Sequence, residues 1–238
     1  MSTIGFVGSG NMAEALVKGI IAAKMYAPEN VFVSDVRAER LEFLSASYGA
    51  AAVQSNAELA AKVDTVVLSI KPQNMTDALN SIKDFIGSGA LVISIAAGIK
   101  VAKIAAVLGD MAIVRVMPNT PALVGEGASA LFANKKAKPL LKKAMSIFTS
   151  VGKAVVVDNE DLIDAVTAVS GSGPAYFFLL MEEMIKTGVE LGLPEIVAKD
   201  LVLQTAKGAG MLAAAADRNS ESPAQLRKKV TSPGGTTE

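Results

Sequence analysis

The N-terminal stretch Thr3-Ile4-Gly5-Phe6-Val7-Gly8-Ser9-Gly10-Asn11-Met12-Ala13 contains the strongest structural signal in this 238-residue chain. It is an apolar run that ends in the pattern G-x-G-x-x-A and leads into an amphipathic stretch near 11–24. A strand, a glycine turn and a helix in this order are typical of a dinucleotide-binding fold. Gly8 permits the tight turn, Gly10 allows a pyrophosphate to approach the helix N-terminus, and Ala13 keeps the helix near the sheet. Glycines that serve only a strand–helix turn are the structural alternative.

Strands and helices alternate along the first 158 residues. Short β-branched runs lie at 3–8, 30–35, 64–70, 90–95, 112–117 and 154–158, and helical patterns lie at 11–24, 37–48, 74–86, 100–108 and 136–150. Nearly continuous apolar strands joined by helical crossovers are typical of parallel sheets that are buried on both faces. The pattern predicts an α/β fold with a Rossmann-like, doubly wound parallel sheet.

After residue 158 the β-branched runs stop. Helical patterns at 161–169, 174–192 and 194–216 predict a second, all-helical domain over 159–238, behind a dinucleotide-binding domain over 1–158. The pattern at 174–192 is apolar around most of its circumference, which is more than a surface helix needs. Because a helical domain of this size buries little surface alone, we expect it to form a homodimer, with a higher oligomer left open.

Composition and charge exclude several classes of function. Lys plus Arg number 23 and Asp plus Glu number 23, so the balanced charge disfavours binding to nucleic acid or to an anionic membrane. Histidine and cysteine are absent, which excludes Cys/His metal sites, cysteine nucleophiles, Ser-His-Asp triads and disulfides. We expect no bound metal. No uninterrupted apolar run reaches the roughly 18 residues of a membrane span, and Met1 leads straight into a strand without a leader-like segment. These features predict a cytoplasmic protein.

The segment Ser34-Asp35-Val36-Arg37 follows the second predicted strand, where the adenosine ribose of a dinucleotide should lie. Asp35 would accept a hydrogen bond from the free 2′-hydroxyl of NAD, whereas Ser34 and Arg37 could hold the 2′-phosphate of NADP. The two signals conflict. Capping of the following helix by Asp35 is a structural alternative.

Three later strands end in segments that should line the same edge of the sheet. These segments are Ile70-Lys71-Pro72, Ile95-Ala96-Ala97-Gly98 and Met117-Pro118-Asn119-Thr120-Pro121. The small residues leave room for a cofactor, Lys71 could contact its ribose or phosphate, and Asn119 could lie near the nicotinamide. An exposed loop lysine and an Asx turn at Asn119 are the structural alternatives.

The helical half contains two segments rich in glycine and hydroxyl groups. Ser170-Gly171-Ser172-Gly173-Pro174 predicts a helix start that tolerates close approach of another backbone. Ser232-Pro233-Gly234-Gly235-Thr236-Thr237 presents several backbone N–H groups and hydroxyls to one point, which predicts a site for a substrate carboxylate. A flexible tail would have a similar composition.

Five motifs together closely resemble the pyrroline-5-carboxylate reductase family. They are the glycine turn at 8–13, Val92-Ile93-Ser94-Ile95-Ala96-Ala97-Gly98, Met117-Pro118-Asn119-Thr120-Pro121, Ser170-Gly171-Ser172-Gly173-Pro174-Ala175-Tyr176 and Ser232-Pro233-Gly234-Gly235-Thr236-Thr237. The resemblance covers residues 3–238 in family order. It implies reduction of L-1-pyrroline-5-carboxylate to L-proline by NAD(P)H, the last step of proline biosynthesis, in a dimer with interleaved helical domains.

The same resemblance assigns further residues to the site. Asn56 and 70–72 match family cofactor contacts, Glu160 matches a position near the site, and Ser232, Gly235, Thr236 and Thr237 match the substrate loop. By this resemblance the predicted catalytic residues are Glu160, Ser232, Gly235, Thr236 and Thr237. Together with the residues above, the predicted cofactor contacts are Gly8, Ser9, Gly10, Asn11, Met12, Ser34, Asp35, Arg37, Asn56, Ile70, Lys71, Pro72, Ala96, Ala97 and Asn119. Because the family continues past the loop as a further helix, we expect the sequence to be cut short at Glu238.

The predicted reaction requires little from side chains, because a nicotinamide cofactor supplies the reductant. Thr237 takes the place of the hydroxyl that hydrogen-bonds the ring nitrogen, and we assign it to orientation because an unperturbed threonine is a poor acid. We expect NADPH as cofactor, with NADH tolerated. The alternatives are a 3-hydroxyacid dehydrogenase of similar layout and a sensor that binds NADP without turnover. The loop at 232–237 argues against the sensor.

Overall fold

The computed structural model describes residues 2–231 and 233–237. The strands are β1 (Ile4–Val7), β2 (Val31–Ser34), β3 (Ala51–Ala52), β4 (Thr65–Leu68), β5 (Leu91–Ser94), β6 (Ala112–Met117), β7 (Gly127–Ala133) and β8 (Gly152–Val156). The helices are α1 (Asn11–Ala22), α2 (Ala38–Tyr48), α3 (Asn56–Lys62), α4 (Met75–Ile82), α5 (Val101–Leu108), α6 (Leu141–Thr149), α7 (Leu162–Val166), α8 (Gly173–Glu190), α9 (Glu195–Asp217) and α10 (Pro223–Val230). Residues 1–174 form one compact unit, unit 1, and residues 175–238 form another, unit 2.

The described strands of unit 1 form one eight-stranded sheet in the order β3-β2-β1-β4-β5-β6-β7-β8. All neighbouring strands are parallel except β6 and β7, which are antiparallel. The order reverses beside β1, which pairs with β2 on one side and with β4 on the other. In doubly wound sheets a dinucleotide binds at this point of reversal, at the carboxyl ends of the strands. The predicted Rossmann-like α/β fold is confirmed.

The prediction of an entirely parallel sheet is wrong at β7. Residues 118–126 separate β6 from β7, and a parallel crossover needs about a dozen residues or more. The chain therefore turns back through a short 3-10 helix, Thr120–Val124, and pairs antiparallel, with Val114 opposite Ala133. The pattern Gly127-Ala128-Ser129-Ala130 contains no β-branched residue, which is why the sequence did not predict this strand.

The helices cover both faces of the sheet. On one face α1 and α6 pack against the strands, and Leu16, Ile20, Ile147 and Phe148 are completely buried there. On the other face α3, α4 and α5 cover a second cluster that includes Leu59, Leu79 and Ile104. This three-layer arrangement buries both faces of β1, β4 and β5, so only the ends of these strands and the loops beyond them are open to a ligand.

Unit 1 extends past the predicted domain boundary between residues 158 and 159. It contains α7 and one turn of π-helix, Thr167–Gly171, that leads into the first residues of α8. Because α7 contacts β6 and β7, it clusters with the sheet. The boundary at 158/159 stays a prediction.

Unit 2 consists of most of α8, together with α9 and α10, and exposes many large apolar side chains. Those of α8 that are at least two-fifths exposed include Tyr176, Phe177, Phe178, Leu179, Leu180, Met184 and Val189. By length and composition, one helical stretch among the described residues, Leu162–Glu190, could cross a membrane; its window has a mean hydropathy of 1.2 and is 11% buried. A helix that packs against a second chain would have the same composition.

Candidate functional site

The turn after β1 requires a glycine at its first position. Gly8 has φ of +92°, and a Cβ there would lie 2.7 Å from the Ser69 carbonyl oxygen. Its N–H donates to the Ser34 carbonyl at 2.8 Å, and Ser69 Oγ donates to the Gly8 carbonyl at 2.6 Å. These contacts hold the turn against the ends of β2 and β4. Ser69 was not predicted as a site residue.

The N-terminus of α1 fits a pyrophosphate. A Cβ at Gly10 would have no atom within 4 Å, so the backbone faces open space. The helix has no side-chain cap, which leaves the N–H groups of its first turn available to an anion, and Asn11 is exposed. The predicted cofactor residues 8–12 therefore provide both the space and the donors that a dinucleotide needs.

The backbone N–H and the backbone carbonyl of Ser9 each form a hydrogen bond with a charged side chain. Its N–H donates to Asp35 Oδ2 at 2.7 Å, and its carbonyl accepts from Arg40 Nε at 2.8 Å. Arg40 Nη2 also donates to Glu14 Oε2 at 2.7 Å. The sequence signal for these contacts was weak, because Arg40 lies 31 residues from Ser9.

Asp35 and Arg37 form a bidentate ion pair beyond the end of β2. Arg37 Nε and Nη2 lie 3.1 and 3.2 Å from the two carboxylate oxygens, and the Arg37 N–H donates to Oδ1 at 3.0 Å. Partial burial opposes ionisation of Asp35, but the hydrogen bonds from Arg37 and from the Ser9 N–H hold its pKa below its ordinary value. The Asp35 side chain is 7% exposed and that of Arg37 is 51% exposed. Helix α2 begins at Ala38 without a side-chain cap, so the capping alternative for Asp35 is wrong.

Ser34 and Asn56 are bonded to each other. Ser34 Oγ donates to Asn56 Oδ1 at 2.8 Å, and Asn56 Nδ2 donates to Ser81 Oγ at 3.0 Å. Ser34 is buried at the end of β2, while Asn56 is the first residue of α3. The structure thus brings these two predicted cofactor residues together at the carboxyl end of β2.

The predicted residues after β4 and β5 lie at the carboxyl ends of neighbouring strands. Ile70 is partly buried, and Lys71 and Pro72 are exposed in a 3-10 turn. The Lys71 side chain makes no hydrogen bond or ion pair with any described residue, so its ammonium is available to a ligand. After β5, Ala96 is buried and Ala97 is exposed.

Asn119 joins two of the sequence motifs within unit 1. Its Oδ1 accepts from the Ala128 N–H at 2.8 Å, and its Nδ2 donates to the Ser170 carbonyl at 3.0 Å. Ser170 belongs to the π turn, where a Cβ on Gly171 would lie 2.5 Å from Met117 Cε. The Asx-turn alternative is wrong, because the side chain bonds to β7 and to the π turn instead.

Glu160 contacts a buried arginine that the sequence analysis missed. Arg115, in the middle of β6, is 2% exposed; its Nη1 lies 3.2 Å from Glu160 Oε1 and its Nη2 lies 3.3 Å from Asp164 Oδ1. Glu160 Oε1 also accepts from the Val101 N–H, at 2.7 Å, at the start of α5. A charged residue inside the apolar run 112–117 was the available signal, because a buried charge needs partners.

The predicted substrate loop follows α10 in unit 2. Helix α10 begins with a capping box between Ser222 and Gln225. Gly235, Thr236 and Thr237 are exposed, whereas Ser232 lies outside the described residues. Gly234, at the start of the loop's glycine pair, has a positive φ of +71°. The described hydroxyls of this loop are therefore open to solvent.

Comparisons with known proteins identify the family. A family model described as pyrroline-5-carboxylate reductase dimerisation matches residues 160–238. A curated pyrroline-5-carboxylate reductase from Pseudomonas aeruginosa is 46% identical over 242 residues, which cover 100% of this chain and 87% of the relative. The chain belongs to the pyrroline-5-carboxylate reductase family. The resemblance predicted from its motifs is confirmed.

Solved structures of pyrroline-5-carboxylate reductases share the fold. The enzyme from Coxiella burnetii is 40% identical with a TM-score of 0.90, and the match covers 99% of this chain and 87% of that one. The Plasmodium falciparum enzyme with NADP bound is 36% identical with a TM-score of 0.86, covering 99% and 86%. A family model described as NADP oxidoreductase, coenzyme F420-dependent, matches residues 3–98. The expected nicotinamide cofactor is confirmed; the choice between NADPH and NADH is not.

Proposed function

We propose that this chain reduces L-1-pyrroline-5-carboxylate to L-proline, the last step of proline biosynthesis, with NADPH preferred and NADH tolerated. The observation that carries the proposal is the match to the Pseudomonas aeruginosa reductase across the whole chain. When bound, the cofactor supplies the hydride. The chain supplies binding, orientation and hydrogen bonds, which require neither histidine nor cysteine.

The ion pair of Asp35 and Arg37 supports the preference for NADPH. A carboxylate offers about four acceptor positions, and Asp35 already accepts from the Ser9 N–H, the Arg37 backbone N–H and two N–H groups of the Arg37 guanidinium. No position is left for a ribose hydroxyl. Arg37 is half exposed and keeps further N–H groups that point away from the pair. We therefore assign Asp35 to orienting Arg37 and Arg37 to the 2′-phosphate, so the two conflicting sequence signals describe one unit.

The remaining cofactor residues have two kinds of role. We propose that the turn at 8–12 binds the pyrophosphate, because Gly10 faces open space, and that the exposed Lys71 contacts ribose or phosphate. The hydrogen bonds of Ser34, Asn56 and Asn119 within the chain favour a positioning role for these side chains. Ile70, Pro72, Ala96 and Ala97 would contact the cofactor by packing.

The loop at 232–237 is proposed to bind the substrate. The backbone N–H groups of Gly235, Thr236 and Thr237, with the Ser232 hydroxyl, would hold the carboxylate. The Thr237 hydroxyl would orient the ring nitrogen by a hydrogen bond, while the proton comes with the imine or from water. Exposure of the described loop residues supports their availability. The contacts of Glu160 favour a structural role over a catalytic one.

We further propose that the chain is a homodimer assembled through α8 and α9. An open groove of 610 Å³ on unit 2 is lined by apolar side chains such as Phe178, Ile185 and Leu203. The dimerisation model that matches 160–238 includes the whole stretch that could cross a membrane. Burial against a second chain thus accounts for its composition, and we propose a cytoplasmic protein without nucleic-acid or membrane partners.

Oxidation of NADPH by the purified chain tests the proposed reaction against its alternatives. We expect turnover with pyrroline-5-carboxylate and none with a 3-hydroxyacid and NADP. Turnover of the hydroxyacid instead would support a 3-hydroxyacid dehydrogenase. Binding of NADPH without turnover of either substrate would support the sensor and contradict the proposal.

A further inference from the structure

We propose that Arg40 is a positioning residue of the cofactor site, which holds the phosphate-binding turn in its binding shape through the Ser9 carbonyl. The proposal rests on the proposed cofactor function of unit 1. Arg40 lies on α2, outside the glycine motif, and the sequence motifs assign it no role.

The need for such a residue follows from the two glycines. Gly8 and Gly10 flank Ser9, and glycine is the residue with the widest choice of backbone conformations. The planar peptides of Ser9 could therefore rotate about either neighbour. Their orientation matters because the N–H groups that follow, at the start of α1, are the donors proposed for the pyrophosphate.

Two side chains of opposite charge restrain Ser9. Asp35 accepts from its N–H at 2.7 Å, and Arg40 Nε donates to its carbonyl at 2.8 Å. Ser9 itself is completely buried, so water does not compete for these bonds. Both bonds include a charged partner, which makes them stronger than bonds between neutral groups. The turn is thus fixed before a ligand arrives, which lowers the ordering cost of binding.

Arg40 is in turn fixed by its other contacts. Its Nη2 donates to Glu14 Oε2 at 2.7 Å, and its guanidinium lies 5.1 Å from the centre of the Phe43 ring. Tyr48 donates to the other oxygen of Glu14 at 3.2 Å. One planar guanidinium therefore joins the turn, α1 and α2 with donors in fixed directions. A lysine ammonium has the same charge but lacks the planar arrangement of several N–H donors in fixed directions.

The rival role for Arg40 is direct contact with the 2′-phosphate, since Arg37 is close in sequence. The two roles predict different nucleotide selectivity. A residue that positions the pyrophosphate turn affects NADPH and NADH alike and leaves 2′-AMP, which has no pyrophosphate, unaffected. A 2′-phosphate ligand affects NADPH and 2′-AMP and leaves NADH unaffected.

The experiment measures dissociation constants by fluorescence titration of NADPH and NADH, and by competition with 2′-AMP, without substrate. In Arg40→Met we expect both dinucleotides to bind about tenfold more weakly, as for a lost charged hydrogen bond, and 2′-AMP to bind as before. Arg40→Lys should recover only part of the loss. Arg37→Met should show the opposite selectivity, weakening NADPH and 2′-AMP but not NADH.

Tyr48→Phe is the matched control, because it removes a hydrogen bond from Glu14 without touching Ser9. An equal loss of affinity in Tyr48→Phe and Arg40→Met, with equal loss of thermal stability, would assign Arg40 to helix packing and overturn the proposal. Unchanged dinucleotide affinity in folded Arg40→Lys and Arg40→Met would also overturn it. These outcomes presuppose nucleotide binding by the wild type; if it binds neither dinucleotide, the proposed function itself fails.

Discussion

Arg37 is the residue on which the proposed cofactor preference depends. Because Asp35 holds its guanidinium and leaves further N–H groups exposed, we expect Arg37→Ala to raise the KM for NADPH about tenfold. The KM for NADH should change little, since NADH has no 2′-phosphate. Steady-state kinetics with both cofactors measure the difference, and equal increases for the two would contradict the assigned phosphate contact.

The glycines of the phosphate-binding turn form a matched pair with opposite expectations. Gly8→Ala places a Cβ at positive φ and 2.7 Å from the Ser69 carbonyl, so it should lower the free energy of unfolding by about 1–3 kcal/mol. Gly10→Ala meets no atom within 4 Å and should leave that free energy nearly unchanged. It should nevertheless weaken NADPH binding, because the methyl group occupies the space proposed for the pyrophosphate. Denaturant unfolding measures the free energy of unfolding, and NADPH titration measures the affinity. A Gly10→Ala variant with normal NADPH affinity would argue against a pyrophosphate site at this turn.

Thr237 tests the substrate loop. Thr237→Val keeps the volume and removes one hydroxyl, so kcat/KM for pyrroline-5-carboxylate should fall by roughly 5- to 150-fold, equivalent to about 1–3 kcal/mol. The dissociation constant for NADPH should not change. Gly235→Val should lose more, because a β-branched side chain would block the carboxylate. Wild-type turnover in both variants would show that the loop is a tail.

The chemistry of the site residues could be predicted from the sequence, but their contacts could not. The glycine spacing indicated the phosphate-binding turn, because local backbone geometry alone requires Gly8. The pairing of Asp35 with Arg37, and the hydrogen bond that Asp35 accepts from the Ser9 N–H 26 residues away, were not visible in the sequence. Arg115 was missed because its partners are remote in the sequence: Glu160 follows it by 45 residues and Asp164 by 49.

At the level of secondary structure, the elements with strong apolar patterns were predicted and those with weak patterns were not. Strands β1, β2, β4, β5 and β6 lie within predicted runs because each is apolar and rich in β-branched residues. Strand β3 consists of two alanines, which have little β-propensity, and it forms by pairing with β2. Helix α3 was not predicted because it is short. Its start signal is the pattern of Ser55 followed three residues later by Glu58, and the Glu58 N–H donates to Ser55 Oγ at 3.1 Å.

The turn before α7, which contains Glu160, provides the prediction that separates a structural role of Glu160 from a catalytic one. Glu160→Gln weakens the partner of buried Arg115 and the bond to the start of α5, so the free energy of unfolding should fall by about 1–3 kcal/mol. NADPH affinity should remain unchanged. Asp164→Asn is the control: Asp164 also contacts Arg115 but is mostly exposed, and its loss should cost less than about 1 kcal/mol. A large fall in kcat with no loss of stability in Glu160→Gln would restore the catalytic assignment.

The whole molecule is expected to be a dimer, because α8 exposes more apolar surface than a monomer can leave open. Phe178→Glu should give monomers or aggregates by light scattering, since a charge would be buried in the interface. Phe85→Glu is the matched control, because Phe85 lies in unit 1 and is similarly exposed, 53% against 60% for Phe178. A wild-type monomer at micromolar concentration, or the same effect from both substitutions, would contradict assembly through unit 2.

The proposed reaction is a hydride transfer to the imine carbon of pyrroline-5-carboxylate, and the fate of that hydride can be followed. The purified chain is incubated with the substrate and NADPH that carries deuterium at its hydride-donating carbon, and the product is analysed by mass spectrometry. The proposal predicts proline that carries one deuterium on Cδ, the ring carbon that was the imine carbon of the substrate. Bound but unoxidised NADPH, with no labelled proline formed, would contradict it.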